Sequence, residues 1–168
     1  MPELEKYVHM AKELKMIDAK IISPKDIFFD IRAILKCRWG CEDFYPENRK
    51  CSYRDTTYQE RVEMVKSYNN ILLIHSHNAT ELSKAVLEIE RIAFLDGFYF
   101  ASALRNCKLC EGCAVSKGEP CPTPQYVRPC ELSFGIDMYK TVRNLGFPCE
   151  VLKDKNDRQN RYGFVLLD

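Results

Sequence analysis

Between Asn106 and Cys121 the chain reads Asn-Cys-Lys-Leu-Cys-Glu-Gly-Cys-Ala-Val-Ser-Lys-Gly-Glu-Pro-Cys, and Pro122 comes next. Cys107, Cys110 and Cys113 stand at two-residue spacings, and Cys121 follows after seven more residues. Three thiolates bunched in this way can wrap one turn of backbone around a single inorganic core. A more distant cysteine followed by proline completes the pattern found at iron–sulfur clusters. Zinc more often draws its ligands as two well-separated pairs, and no second pair follows here. The spacing therefore points to a four-iron four-sulfur (4Fe-4S) cluster on Cys107, Cys110, Cys113 and Cys121, with structural zinc as the alternative, since thiolates suit both.

A second group precedes it: Cys37-Arg-Trp-Gly-Cys41, then Cys51. Three cysteines leave one position of a metal core open or need a ligand from elsewhere. Cys130, in Arg-Pro-Cys-Glu, is the obvious candidate and Cys149 a weaker one. An exchange between the groups is an alternative, because in two-cluster ferredoxins the last cysteine of a run serves the other cluster. A thiol group without a role is the plain alternative to a second metal site. Gly40 would allow a close approach of backbone to a cofactor, and Trp39 would shield it from water. Cys149, after Pro148, otherwise reads as an ordinary buried cysteine, which packs like a small hydrophobe.

Lys36, Arg38, Lys50, Arg54, Arg105 and Lys108 flank the cysteines. Cations and N–H donors beside an anionic cluster raise its reduction potential, and they could steer an acidic redox partner protein. A solvated surface face competes with that reading. His75 and His77 would face one side of a strand, which suits a metal or a proton relay, although satisfied histidines at a strand end are the simpler account. No glycine-rich phosphate loop and no Ser-His-Asp or Cys-His nucleophile pattern can be placed.

At 168 residues the chain has the length of one domain, taken as 1–168 with cysteine-rich loops at 37–54 and 106–130. With 46% hydrophobic residues it can bury a real core without staples. The 25 Lys and Arg against 24 Asp and Glu argue against a nucleic-acid binder. The first residues lack the order of a signal peptide, and the apolar runs are too short to span a bilayer. A cytoplasmic protein is expected. In that reducing compartment nine cysteines mean metal or redox chemistry more readily than disulfides.

Residues 3–16 read as an amphipathic helix with Leu4, Tyr7, Val8, Ala11 and Leu14 on one face. A short apolar run at 19–22 stops at Pro24. The alternation over 27–36 predicts a strand that delivers the chain into Cys37. Residues 37–54 are irregular, a length that a bound cofactor would explain. A helix capped by Asp55 or Thr56 is expected over 57–68, with Tyr58, Val62 and Val65 inward, and a buried strand over 71–75. Asn78 resembles the start of a capping box opening a helix to Leu95, closed by Gly97. A strand over 98–104, a helix from 130 or 131 to 145, and strands near 150–153 and 161–167 complete the chain. Alternating strands and helices predict an α/β or α+β fold, a mixed β-sheet flanked by helices, with both cysteine-rich loops at strand ends, a usual place for function.

With these residues assembled, the chain resembles a family of small proteins, mainly from anaerobic archaea and bacteria, described as predicted metal-binding proteins of unknown function. Lys36-Cys-Arg-Trp-Gly-Cys41, Gly97-Phe-Tyr-Phe-Ala101 leading into the bunched cysteines, Arg128-Pro-Cys-Glu131 and Gly135-Ile-Asp137 carry the likeness. It runs from about Ile21 to Gly146. The family tends to have Cys-Pro-Pro where this chain has Cys51-Ser-Tyr, and Arg-Pro-Ser where it has Cys130. The resemblance implies metal or cluster binding and an anaerobic setting, and supplies no reaction. Residues and resemblance together lead to the expectation of an iron–sulfur protein acting in electron transfer or as a redox subunit. The rivals are an enzyme using a cluster with an open iron and a zinc-binding structural or interaction module.

Overall fold

The computed structural model describes residues 2–45, 51 and 55–168. Four strands, β1 (Asp18–Ile22), β2 (Asn70–Ser76), β3 (Ser102–Leu104) and β4 (Arg161–Leu167), form one sheet in the order β1-β2-β4-β3. Side chains alternate across a strand, and here both faces are covered. Leu72, Ile74, Val165 and Leu167 face α1 (Pro2–Glu13) and α4 (Ala79–Leu95), and Ile71, Leu73, Phe164 and Leu166 face α3 (Tyr58–Lys66) and α5 (Met138–Asn144). Burial on both faces is why β2 carries the unbroken apolar run Ile-Leu-Leu-Ile.

The fold is α+β. The pairing is antiparallel throughout, where strand–helix alternation suggested a mixed sheet. The reason lies in one insertion. The chain runs up β2, back through α4 and up β3, with β2 and β3 pointing the same way, but β4 enters between them and pairs with both. This is a split βαβ unit, so no parallel neighbours remain.

The expected strand over 27–36 is a helix, α2 (Arg32–Trp39), so Cys37 lies inside a helix and the first cysteine group does not begin at a strand end. Ala33 and Cys37, four apart, are its buried pair, while Ile31, Leu35 and Trp39 are 60%, 58% and 80% exposed. Apolar residues at both spacings produced the false alternation. Asp30 opens the helix: its carboxylate accepts from the Arg32 N–H at 2.9 Å and pairs with the Arg32 guanidinium, which together hold its pKa down at about 2.

Four further expectations differ. Residues 98–101 make a turn and only Ser102–Leu104 pairs. Glu131–Phe134 is a 3₁₀ turn separated from α5 by Gly135, so the expected single helix is two pieces and Gly135 is not helical. No strand forms at 150–153. The cap of α3 is Thr57, in a capping box with Glu60, in place of Asp55 or Thr56. Asn78 caps α4 as expected, accepting from the N–H groups of Thr80 and Glu81.

Gly135 has φ +73°, and a Cβ there would lie 2.2 Å from Tyr58 Cε2. Only glycine fits. Beside it, the Asp30 N–H bonds Gly135 O and the Asp137 N–H bonds Phe28 O, both at 2.8 Å. These bonds fix the run entering α2 against the run leaving Cys130. The outer edge of β3 is closed by side chains: Glu90 of α4 accepts the Ala103 N–H at 2.9 Å and clamps Arg128 with oxygens 2.7–2.9 Å from its Nε and Nη2. The Arg105 N–H bonds Pro129 O at 2.9 Å. An edge closed this way has few backbone groups to offer a second chain.

Candidate metal centre

Cys37 is buried in the last turn of α2, and α2 packs on the 3₁₀ turn that starts one residue after Cys130. Gly40 ends the helix through its N–H to Lys36 O at 2.9 Å and delivers the half-buried Cys41. Cys51 is buried, and its Sγ donates to Asp43 O at 3.6 Å. Burial pushes the Cys37 thiol up. Arg38 opposes that, Cys51 and Cys41 add to it, and Arg61 opposes it again. Burial also pushes the Cys130 thiol far up, and Glu131 adds to it. The Leu132 N–H pulls it down, Cys37 raises it and Arg105 lowers it. Cys37 thus shares one electrostatic neighbourhood with Cys41, Cys51 and Cys130. Thiols held protonated this way must lose their protons to a metal.

The other group follows β3 closely. Cys107 is half-buried under α4, where Ser83 Oγ donates to Ala79 O and Asn106 O and accepts the Lys108 N–H at 3.3 Å. Cys110 is exposed, and Cys113 is half-buried at the start of the 3₁₀ turn Ala114–Lys117. Gly118, at φ +78°, turns the chain back toward the half-buried Cys121.

The two groups meet. Lys108, between Cys107 and Cys110, pairs with the carboxylate of Asp43, whose carbonyl accepts from Cys51. Arg105 is only 6% exposed. Its Nη1 donates to Tyr162 O at 3.3 Å and lies 3.9 Å from Glu131 Oε1, while its Nε has no partner. Glu131 Oε2 and Arg161 Nε are likewise buried without partners. Burial lowers the pKa of Arg161, and Arg105 beside it lowers it further.

Among the described residues no group of three or more His, Cys, Asp or Glu closes tightly enough to hold a metal ion. The thiols are neighbours, not a finished cage. Their chemistry nevertheless fits a thiolate-bound metal core: the donors are soft, an N–H points at Cys130, and a buried cation with an orphaned Nε stands beside it. All nine cysteines are thiols.

Other expectations fare differently. Trp39 is 80% exposed. Of the basic residues, Lys50 and Arg54 lie outside the described residues. Arg38 lies over the Phe44 ring at 4.6 Å, and Arg105 is interior, not part of a solvated face. His75 bonds Asn160 Oδ1 at 2.8 Å and stacks on Tyr162, and His77 reaches Gln159 O at 3.2 Å, so both are satisfied. Cys149 packs with the core around Phe147. The sequence reasoning missed Asp43, Ser83 and Arg161, and none of them carries a motif that would have drawn attention.

A half-open cavity of about 470 Å³ lies on the α3 side of the sheet, walled by Met64, Tyr68, Phe100, Phe134 and Leu166, with Pro129, the neighbour of Cys130, at its rim. No described helix is long and apolar enough to cross a membrane.

No curated protein and no solved structure matches the chain. A family described as "Predicted metal-binding protein (DUF2284)" matches residues 20–167, a span that takes in both cysteine groups and every strand but the first two residues of β1. The chain belongs to this family of predicted metal-binding proteins.

Proposed function

We propose that the protein carries two iron–sulfur clusters and serves as an electron carrier or redox subunit in the cytoplasm of an anaerobe. Cys107, Cys110, Cys113 and Cys121 would hold one 4Fe-4S cluster, and Cys37, Cys41, Cys51 and Cys130 the other. The observation that carries this reading is the surroundings of Cys130: a neighbouring Cys37, an N–H from Leu132, and the buried Arg105 with an orphaned Nε. A core bound by four thiolates is an anion, and buried cations are costly unless such an anion pairs with them. N–H donors and cations at the sulfurs also raise a cluster's potential into a range useful for electron transfer. Zinc on four thiolates would answer the same charges. The bunched spacing of Cys107, Cys110 and Cys113 favours the cluster. A redox protein is the expected partner.

Protein purified and reconstituted without oxygen should be brown, with about eight irons per chain and a reversible redox couple. Cys130→Ser should reduce this to about four irons while the fold is kept. A colourless protein with stoichiometric zinc and no redox couple would overturn the reading.

The cavity beside Pro129 favours one other account, an enzyme whose first cluster is held by three cysteines, so that the open iron would act as a Lewis acid on a donor oxygen or nitrogen of a small substrate with an apolar body. That account is the better one if Cys130→Ser leaves iron content and spectra unchanged and added ligands alter the wild-type spectrum.

A further inference from the structure

Arg105 occupies a position that neither cysteine group explains alone. It follows β3 directly, two residues before Cys107, and its backbone N–H bonds Pro129 O, one residue before Cys130. Its side chain crosses β4 over Gly163, where a Cβ would meet Arg105 Cδ at 3.3 Å and Val86 Cγ1 at 3.0 Å. From there the guanidinium reaches Tyr162 O and Glu131, with Nε left without a partner and only 6% of the residue exposed. The half-buried Arg161 adds a second Nε that is buried without a partner. Glu131, 3.9 Å away, is a distant ion-pair partner for Arg105, and buried charge that is incompletely paired is strongly unfavourable.

The loop tips are joined as well. Lys108 pairs with Asp43, and the Asp43 carbonyl takes the Cys51 thiol. Ser83 holds the backbone on both sides of Cys107 to α4. A shift of Lys108 as the Cys107 group closes on a metal is therefore passed to Asp43 and on to Cys51.

We infer that the two cysteine groups are one composite centre: loading one favours loading the other through the Lys108–Asp43 link, and Arg105 is the counter-cation they share. This rests on the two-site metal reading above. Arg105 acts as a positioning residue, not as a ligand. A lone ion pair of this exposure is worth little, so the coupling comes from Cys51, which the Asp43 carbonyl holds, and coupling between sites is typically five-fold or more.

The test is a titration of metal-free protein, followed by native mass spectrometry, with ferrous iron plus sulfide and in parallel with zinc. At half saturation the wild type should show mainly empty and doubly loaded chains, with singly loaded chains at about a third of the total or less. Independent equivalent sites give about one half, and coupling of five-fold or more gives the lower share. Lys108→Met, a change at a partly exposed side chain, should bring singly loaded chains up toward the share of independent sites. Singly loaded chains at the statistical share in wild type, with either metal, overturn the coupling and leave two independent metal sites standing. Failure of both metals to load overturns the coupling and the two-site reading together. Coupled loading by zinc alone keeps the composite centre and removes the iron–sulfur assignment.

The role of Arg105 is read from potentials. Arg105→Gln should lower the potentials of both clusters, and Arg105→Lys should restore most of each. A shift at one cluster only, or no rescue by lysine, removes Arg105 as the shared cation.

Discussion

Cys130 and Gly135 stand five residues apart and do opposite kinds of work. Cys130 offers a thiol to the space beside Cys37, while Gly135 lets the chain pass close enough to Tyr58 for that meeting to occur. Gly135→Ala combines a positive φ with a contact of 2.2 Å to an aromatic ring. It should cost about 2–4 kcal/mol, from left-handed strain and overpacking together. A urea melt with an unchanged m-value would register this as a lower midpoint, and a loss below about 1 kcal/mol would show that Tyr58 simply swings away. At this scale the cysteine spacings were legible, and so was Cys130 as a candidate for the Cys37 group, but the route that brings the two together was not. Spacings such as that of Cys107, Cys110 and Cys113 are local and survive in a bare sequence. The approach of Cys130 to Cys37 depends on Gly135 and the Phe29–Ile136 bridge, contacts between distant segments that no spacing encodes.

Among the elements, α2 shows why the first cysteine group was misjudged. Apolar residues at 31, 33 and 35 satisfy a strand pattern, while 31, 35 and 39 satisfy a helical one, and the helix leaves that second set exposed. A helix with an exposed apolar stripe breaks the usual rule that apolar means inward, so burial could not be used to choose between the periods. The long, well-capped α4 had no such conflict and was read to within a residue. The edge strand β3 was overestimated because Phe98, Tyr99 and Phe100 have strand-like side chains but lie in a turn. What holds β3 is Glu90, which meets its backbone and Arg128 at once. Glu90→Ala should therefore destabilise the protein by about 3 kcal/mol, near the lower end for breaking a buried pair because Arg128 stays partly exposed. Amide exchange at Ala103 should quicken in the same variant. If exchange there is unchanged, the edge is held by β4 alone.

For the molecule as a whole, His75 adds a pH dependence to stability just below neutrality. Burial holds its pKa below the usual histidine value, the bond to Asn160 pulls the other way, and His77 adds to the lowering. A histidine kept neutral in the fold binds a proton more weakly there than in the unfolded chain. Its contribution is present above the unfolded value of about 6.5 and is lost as pH falls from there through the lower folded value. Thermal midpoints should thus decline between about pH 7 and pH 5 in the wild type. The decline should be shallower in His75→Phe, which keeps a ring against Tyr162 and has no proton to gain. Equal slopes in the two proteins would remove His75 from the account.

The strand order has a consequence for how the protein is made. β4 lies between β2 and β3, yet it follows every cysteine in the sequence. A chain emerging from the ribosome therefore exposes all nine thiols while β3 still has no strand to pair with and Arg105 has no Tyr162 carbonyl to reach. Contacts between distant segments form late. The cell must keep nine reactive sulfurs reduced until residues 161–167 arrive to complete the sheet that positions them.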